Sequence, residues 1–144
     1  MQKHDTYKEA FARIKHAIDQ NFFIEAIAIQ EAILSDRLRS HLEYHKKLPR
    51  DDKFQSLLRE WKALNGDGKK LAVLIDLPEL VDLWREQRNN AIHGIVAKEG
   101  HVDAFLKNAE VAAKTGLKLT RALCDWHQKE IRKSRPKTRA SKRK

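Results

Sequence analysis

Residues 22–34 read FFIEAIAIQEAIL, from Phe22 to Leu34. Apolar side chains fill nearly every position, and only Glu25, Gln30 and Glu31 interrupt them. At 3.6 residues per turn they cover almost the whole circumference of a helix, not one stripe of it. Such a helix lies at the centre of a domain or in an interface. The spacing predicts a helix from Phe22 to about His45, ahead of Pro49. Its second half, SDRLRSHLEYHKK, turns polar and is expected to be solvated.

A central helix needs neighbours, and the flanking sequence supplies them. Tyr7, Ala10, Phe11, Ile14, Ala17 and Ile18 follow the 3–4 spacing of one helical face. Thr6 and Glu9 stand in capping-box spacing at its start, and Asn21 is placed to cap the next helix. A third helix is predicted over about Asp52 to Leu64, with Phe54, Leu57, Leu58, Trp61 and Leu64 on one face and NGDG (65–68) ending it. KKLAVLID (69–76) predicts a short helical turn. A fourth helix starts at Pro78, buries Leu80, Val81 and Trp84, and stops at Gly94. In the fifth, Val102, Phe105, Ala109, Ala112, Gly116, Leu119, Leu123 and Trp126 form a seam about seven turns long. Only the second helix is a comparable partner. The expected fold is all-α: an antiparallel four- to five-helix bundle with helices 2 and 5 at its centre, and Trp61, Trp84 and Trp126 packed inside.

Composition agrees. The 144 residues suit one domain, and 5 Gly and 3 Pro are few breakers for such a length. Cys124 is the single cysteine, so no internal disulfide is possible, and a reducing, cytoplasmic setting is expected. No apolar run approaches the roughly 18 residues of a membrane span, and MQKHDTYKEAF lacks a signal-peptide core. The net charge of +10 is uneven. RKSRPKTRASKRK (132–144) holds eight basic residues and no acid: Arg132, Lys133, Arg135, Lys137, Arg139, Lys142, Arg143 and Lys144. Residues 1–131 are thus a near-neutral helical domain, and 132–144 are expected to be a disordered basic tail, read either as attracting nucleic acid or as a solubilising or sorting segment.

One segment carries candidate chemistry. WREQRNNAIHG (84–94) packs two arginines, two asparagines and a histidine into the expected end of helix 4. Asn89 and His93 share a face with Glu86, whereas Arg88 leans toward the packed side marked by Trp84. Arg88 and His93 are five residues apart, roughly 140° around the axis. They can meet at one atom if Gly94 releases His93 into a turn, or if two copies of the helix meet. A guanidinium offers bidentate donors to phosphate at any working pH, and an imidazole takes or gives a proton near neutrality. Together they suit metal-free cleavage of RNA, with Asn89 orienting the imidazole.

The motif RNNAIH, with Arg88, Asn89 and His93, resembles the R-x(4–6)-H signature of the HEPN superfamily. The order of a long apolar second helix, a motif helix and a long final helix extends the resemblance to about residues 5–130. The resemblance implies a metal-independent endoribonuclease with Arg88 and His93 as the catalytic pair in a homodimer cleft, and Asn89 in support. Glu31 on helix 2 stands for the family's acidic residue near the site; a carboxylate in so apolar a stretch needs a partner, either Arg88 or a structural arginine such as Arg85. Many members are toxins or anti-phage effectors, so RNA and an antitoxin or other protein are the implied partners, with no membrane partner. Others have lost activity and only bind RNA, nucleotides or proteins. Ile95 stands where one subgroup carries a tyrosine two residues after the histidine, so neutralisation by modification at that position does not fit.

Other features read as packing. His41 and His45 are four apart but lack a third ligand on their face, and no cofactor or metal motif is present. Cys124 and His127 flank the Trp126 seam, where a small buried thiol is the expectation. GDGKK (66–70) lacks phosphate-loop spacing and reads as a connector. A purely structural bundle, with residues 85–93 as a solvated charge cluster, is the remaining alternative.

Overall fold

A computed structural model of the chain describes residues 3–65, 76–97 and 102–134. They form five helices: α1 (Lys3–Asp19), α2 (Phe23–Tyr44), α3 (Phe54–Asn65), α4 (Leu77–Ala97) and α5 (Val102–Ser134). Among the described residues there is no strand, and the protein is an all-α bundle. No described helix is long and apolar enough to cross a membrane.

The largest interfaces are α2 with α5 and α4 with α5. Contacts along the helices give their directions. Lys3 and Tyr7 reach back to Asp36, so α1 runs antiparallel to α2. Gln30 bonds Ala113 while Arg37 meets His127, so the central pair α2 and α5 runs parallel. That is possible because α3 and α4 intervene in the chain.

The three interior helices converge on Gly116. A Cβ there would lie 2.0 Å from Oε1 of Gln30 and 2.7 Å from Nε1 of Trp84. The fully buried Gln30 donates through Nε2 to the Ala113 carbonyl (2.7 Å), and Trp84 donates through Nε1 to the Ala112 carbonyl (2.8 Å). Both carbonyls already serve the α5 ladder, and each has a second lone pair to offer. Ala109, Ala112 and Ala113 are buried beside the glycine, and their small side chains let α2 and α4 approach the α5 backbone. Around this crossing lie Ile27, Leu34, Leu38, Leu57, Val81 and Leu123, all fully buried, with Trp61, Trp84 and Trp126 in the core as expected.

The helix ends differ from expectation. α1 begins at Lys3, so Thr6 lies within it and cannot cap it. Asn21 closes α1 instead of opening α2. It takes a left-handed φ of 62°, with its N–H on Ile18 O (3.1 Å) and the Phe22 N–H on Ala17 O (2.7 Å). This paired pattern is a Schellman cap, and asparagine tolerates that conformation better than most residues. Lys46, at φ 57°, closes α2 in the same way. Asp76 caps α4, its Oδ1 accepting from the Glu79 N–H at 3.3 Å.

Burial also corrects the reading at several positions. Leu80 and Val102 are exposed; Leu77 takes the core position at the start of α4. The second half of α2 is solvated only in part: Leu38, His41 and Leu42 are buried, while Glu43 to Lys47 are exposed. α5 runs unbroken to Ser134, so Arg132 and Lys133 are helical and residue 131 marks no break in structure. Arg135, Lys137, Arg139, Lys142, Arg143 and Lys144 lie outside the described residues, as do Gly66 to Lys70 and most of KKLAVLID.

Candidate functional site

Arg88 enters from α4 on the side that faces α2 and α3. Its Nη2 lies 2.8 Å from Oε1 of Glu31, and the two side chains are 18% and 31% exposed. The guanidinium carbon sits 5.9 Å from the centre of the Phe54 ring, a cation–π distance. Nε is buried and has no hydrogen-bond partner. Arg85 pairs instead with Asp82 (3.0 Å), which also takes Lys62 at 2.8 Å. Glu31 therefore pairs with Arg88 and not with Arg85. Asp82 is held below the usual carboxylate range: burial opposes this, but bonds from Lys62 and Arg85 outweigh it. Glu31, Ser35, Asp52, Phe54, Arg88 and Asn89 help to line an open cleft of about 450 Å³.

His93 does not join them in one chain. Gly94 does not end the helix, since α4 continues to Ala97. His93 therefore stays in regular helix, roughly 140° from Arg88, and is exposed outside the cleft. Asn89 lies between them around the axis, about 40° from His93, and is half-buried at the cleft edge. The structure thus brings Glu31, Arg88 and Asn89 together and leaves His93 on the neighbouring exposed face. Of the two arrangements by which Arg88 and His93 can share an atom, the turn at Gly94 is overturned; the meeting of two copies is the other.

A second cluster escaped the sequence reading. Asp36 on α2 accepts from Tyr7 and from Lys3 (2.9 Å) on α1, and from its neighbour Arg37 (2.9 Å). These bonds outweigh burial and hold the Asp36 carboxyl down at about 2. Tyr7 moves the other way, its hydroxyl pushed above the usual phenol range by burial and by its bond to Asp36. Arg37 stacks over the Tyr7 ring at 4.6 Å, and its Nη1 meets Nδ1 of His127 at 3.3 Å. Arginine only donates, so Nδ1 accepts and the neutral ring carries its proton on Nε2. Burial, reinforced by Arg37 and Lys3, lowers His127 to about 4. His41 is likewise lowered to about 4 by burial, then by His45 and His127. Its Nε2 is buried without a hydrogen-bond partner. Nothing in the HLEYH spacing signals this, because the histidines meet across helices.

The remaining candidates resolve simply. His41 and His45 pack ring to ring, with centroids 4.6 Å apart, and among the described residues no group of three or more His, Cys, Asp or Glu could hold a metal. The half-buried Cys124 has its thiol pushed up to about 11 by burial, so it stays protonated and unreactive near neutrality. Arg132 lines a groove with Tyr7 and Cys124, and Lys133 lines the neighbouring histidine-rich cleft. No family model, no curated protein and no solved structure matches this chain at a significant level.

Proposed function

We propose that the chain is a HEPN-type, metal-independent endoribonuclease that works as a homodimer, with Arg88 and His93 as its catalytic pair. The observation that carries the reading is the setting of Arg88: a guanidinium pinned at a cleft by Glu31 and Phe54, with Nε unpartnered, on the helix that displays His93 one face away. Two copies meeting at the edge of the cleft, where Asn89 lies between the two faces, would bring the arginine of one to the histidine of the other.

In this mechanism His93 removes the proton from a ribose 2′-hydroxyl, whose oxygen attacks the adjacent phosphorus. The leaving 5′-oxygen takes a proton from the imidazolium so formed or from water, giving a 2′,3′-cyclic phosphate and a 5′-hydroxyl. Arg88 stabilises the charge that builds on the phosphoryl oxygens, and Glu31 holds the guanidinium in place. Asn89 orients the imidazole. The basic residues of 132–144 raise affinity for RNA by releasing counterions. The resemblance also points to a toxin–antitoxin or anti-phage setting in the cytoplasm, with an antitoxin or other protein as partner.

RNA digestion with purified wild type and His93→Ala tests this. Cleavage is expected to fall at least about 100-fold, EDTA to leave wild type unaffected, and light scattering to report a dimer for both. Full cleavage by His93→Ala sinks the reading. A second reading, a non-catalytic module that binds nucleic acid or a partner protein, is favoured by the distance of His93 from the Arg88 cleft within one chain. It requires salt-dependent RNA binding that is lost on deleting 132–144, with no cleavage products.

A further inference from the structure

We propose that the groove between α1 and the C-terminal half of α5 docks a partner protein, and that its occupant is an acidic amphipathic helix of that partner. The inference is independent of RNA cleavage and of the Arg88 cleft.

The groove follows from how the helices pack. α1 lies chiefly on α2 and only lightly on α5. The two helices run antiparallel, since α1 opposes α2 and α5 follows it. Between them lies an open valley of about 820 Å³. Its lining runs from Lys3 to Phe11 on α1 and from Cys124 to Arg132 on α5. At 1.5 Å per residue each wall is about 12 Å long, a little over two turns. A further helix laid in this valley extends the bundle by the same ridge-into-groove packing that builds it.

The floor is apolar. Tyr7, Phe11 and Cys124 are half-buried there, and Ile131 is 39% exposed. Tyr7 and Phe11 are one helical turn apart, and Cys124 and Ile131 two, so each pair shares a face of its helix. The rim is cationic. Lys3, Lys8, Arg37 and Arg132 line the groove with His4, and no described Asp or Glu does. Asp36 holds Lys3 and Arg37 from behind the wall. Lys8 and Arg132 are exposed and form no ion pair among the described residues. Beyond Phe11 the rim continues in the exposed Arg121, whose guanidinium lies 6.0 Å from the centre of the Phe11 ring. Arg121 and Arg132 are eleven residues apart in the chain and so share one face of α5. Asp125, the residue after Cys124, stands outside the lining. The surplus of positive charge is local, because residues 1–131 as a whole are near neutral.

These two properties select the occupant. An apolar floor flanked by unpaired cations fits an apolar stripe flanked by carboxylates, which is what an acidic amphipathic helix presents. A nucleic-acid backbone would pair with the rim and leave the floor in water. A second copy of the chain, docked groove to groove, would bring like charge against like charge. Residues 135–144 hold six basic residues and no acid, so the rim repels that segment too.

The test is fluorescence anisotropy of the full chain with a labelled synthetic helix of about 18 residues, with leucine at alternating three- and four-residue spacing and glutamate between. A peptide of the same composition with its leucines spread around the axis, single-stranded RNA of equal charge and phosphatidylglycerol vesicles serve as comparison arms. We expect saturable one-to-one binding, at least about tenfold tighter than that of the rearranged peptide and weakened by salt. Lys8→Glu and Arg132→Glu should each weaken it about tenfold, and Ile131→Ser about fivefold, with unchanged circular dichroism. Arg59→Glu makes the same charge change at an exposed position of α3 and should leave binding unchanged. Absence of saturable binding at millimolar peptide overturns the proposal, as does equal binding of the two peptides or binding untouched by Ile131→Ser. RNA that binds more tightly than the amphipathic peptide, is weakened by Lys8→Glu and Arg132→Glu and is indifferent to Ile131→Ser assigns the groove to nucleic acid and overturns it as well. Vesicle binding tighter than peptide binding, with the same response to all three substitutions, assigns the groove to a lipid surface with the same consequence.

Discussion

The Arg88 cleft and the histidine cleft open on opposite faces of the same helix. Glu31 and Ser35 mark one face of α2; Arg37, Ser40, His41 and Tyr44 mark the other, about 150° away. The first holds its charge simply: one arginine on one carboxylate, beside an aromatic ring. The second crowds two cations, Lys3 and Arg37, and the Tyr7 phenol around Asp36, with the neutral His127 against Arg37. The difference teaches that burial changes what a polar side chain does. At Arg88, partly open to water, the pair keeps both charges at modest cost. At His41 and His127, nearly fully buried, the rings stay neutral and become proton-sensitive parts of the packing.

Acid should separate the two clefts most strongly. Folded-state values of about 4 for His41 and His127 lie below the ordinary value near 6.5. The unfolded chain therefore binds the extra protons first as pH falls. The stability the neutral rings contribute is complete above about pH 6.5 and is lost as pH falls toward 4. With both rings titrating, the slope approaches about 2.7 kcal/mol per pH unit. Asp36, lowered to about 2, adds a loss below its ordinary value near 3.8. Urea melts from pH 7 to 4.5 read this, and His41→Phe should roughly halve the slope between pH 6.5 and 4.5. An unchanged slope in that variant breaks the contrast.

Gly116 lies at the crossing of α2, α4 and α5. Gly116→Ala is expected to cost about 2–3 kcal/mol by thermal or urea unfolding, because its methyl meets both the Gln30 amide and the Trp84 indole. A smaller effect is expected for Glu31→Gln, which removes the charge opposite Arg88: about 1 kcal/mol of stability, since both groups reach solvent. The same change should lower RNA cleavage by loosening Arg88. Smallest of all, Arg13→Ala removes an exposed pair with Glu9 on α1 and should shift stability by less than about 0.5 kcal/mol. A cost from Arg13→Ala equal to that from Glu31→Gln would erase the distinction between the Arg88 pair and an ordinary surface pair.

Much of the fold was legible residue by residue. FFIEAIAIQEAIL reads as a central helix because apolar side chains surround its axis, and the α5 seam reads as its partner because the 3–4 spacing persists. The tryptophans read as core for the same reason. Helix ends were less legible, since a cap depends on backbone geometry: Asn21 suits the end of one helix as well as the start of the next. Gly94 looked like a stop, yet a glycine inside a helix costs only about 1 kcal/mol, which packing of α4 on α5 offsets.

Local spacing determined, without any structure, that this chain is helical, that α2 is central, and that Arg88 and His93 point some 140° apart in any regular helix. Only the tertiary structure decided that α2 and α5 run parallel, that Glu31 reaches Arg88, and that Asp36, Arg37, His41 and His127 share one corner. Those outcomes join residues up to 90 positions apart, and periodicity along a chain carries no information about which faces of distant helices meet.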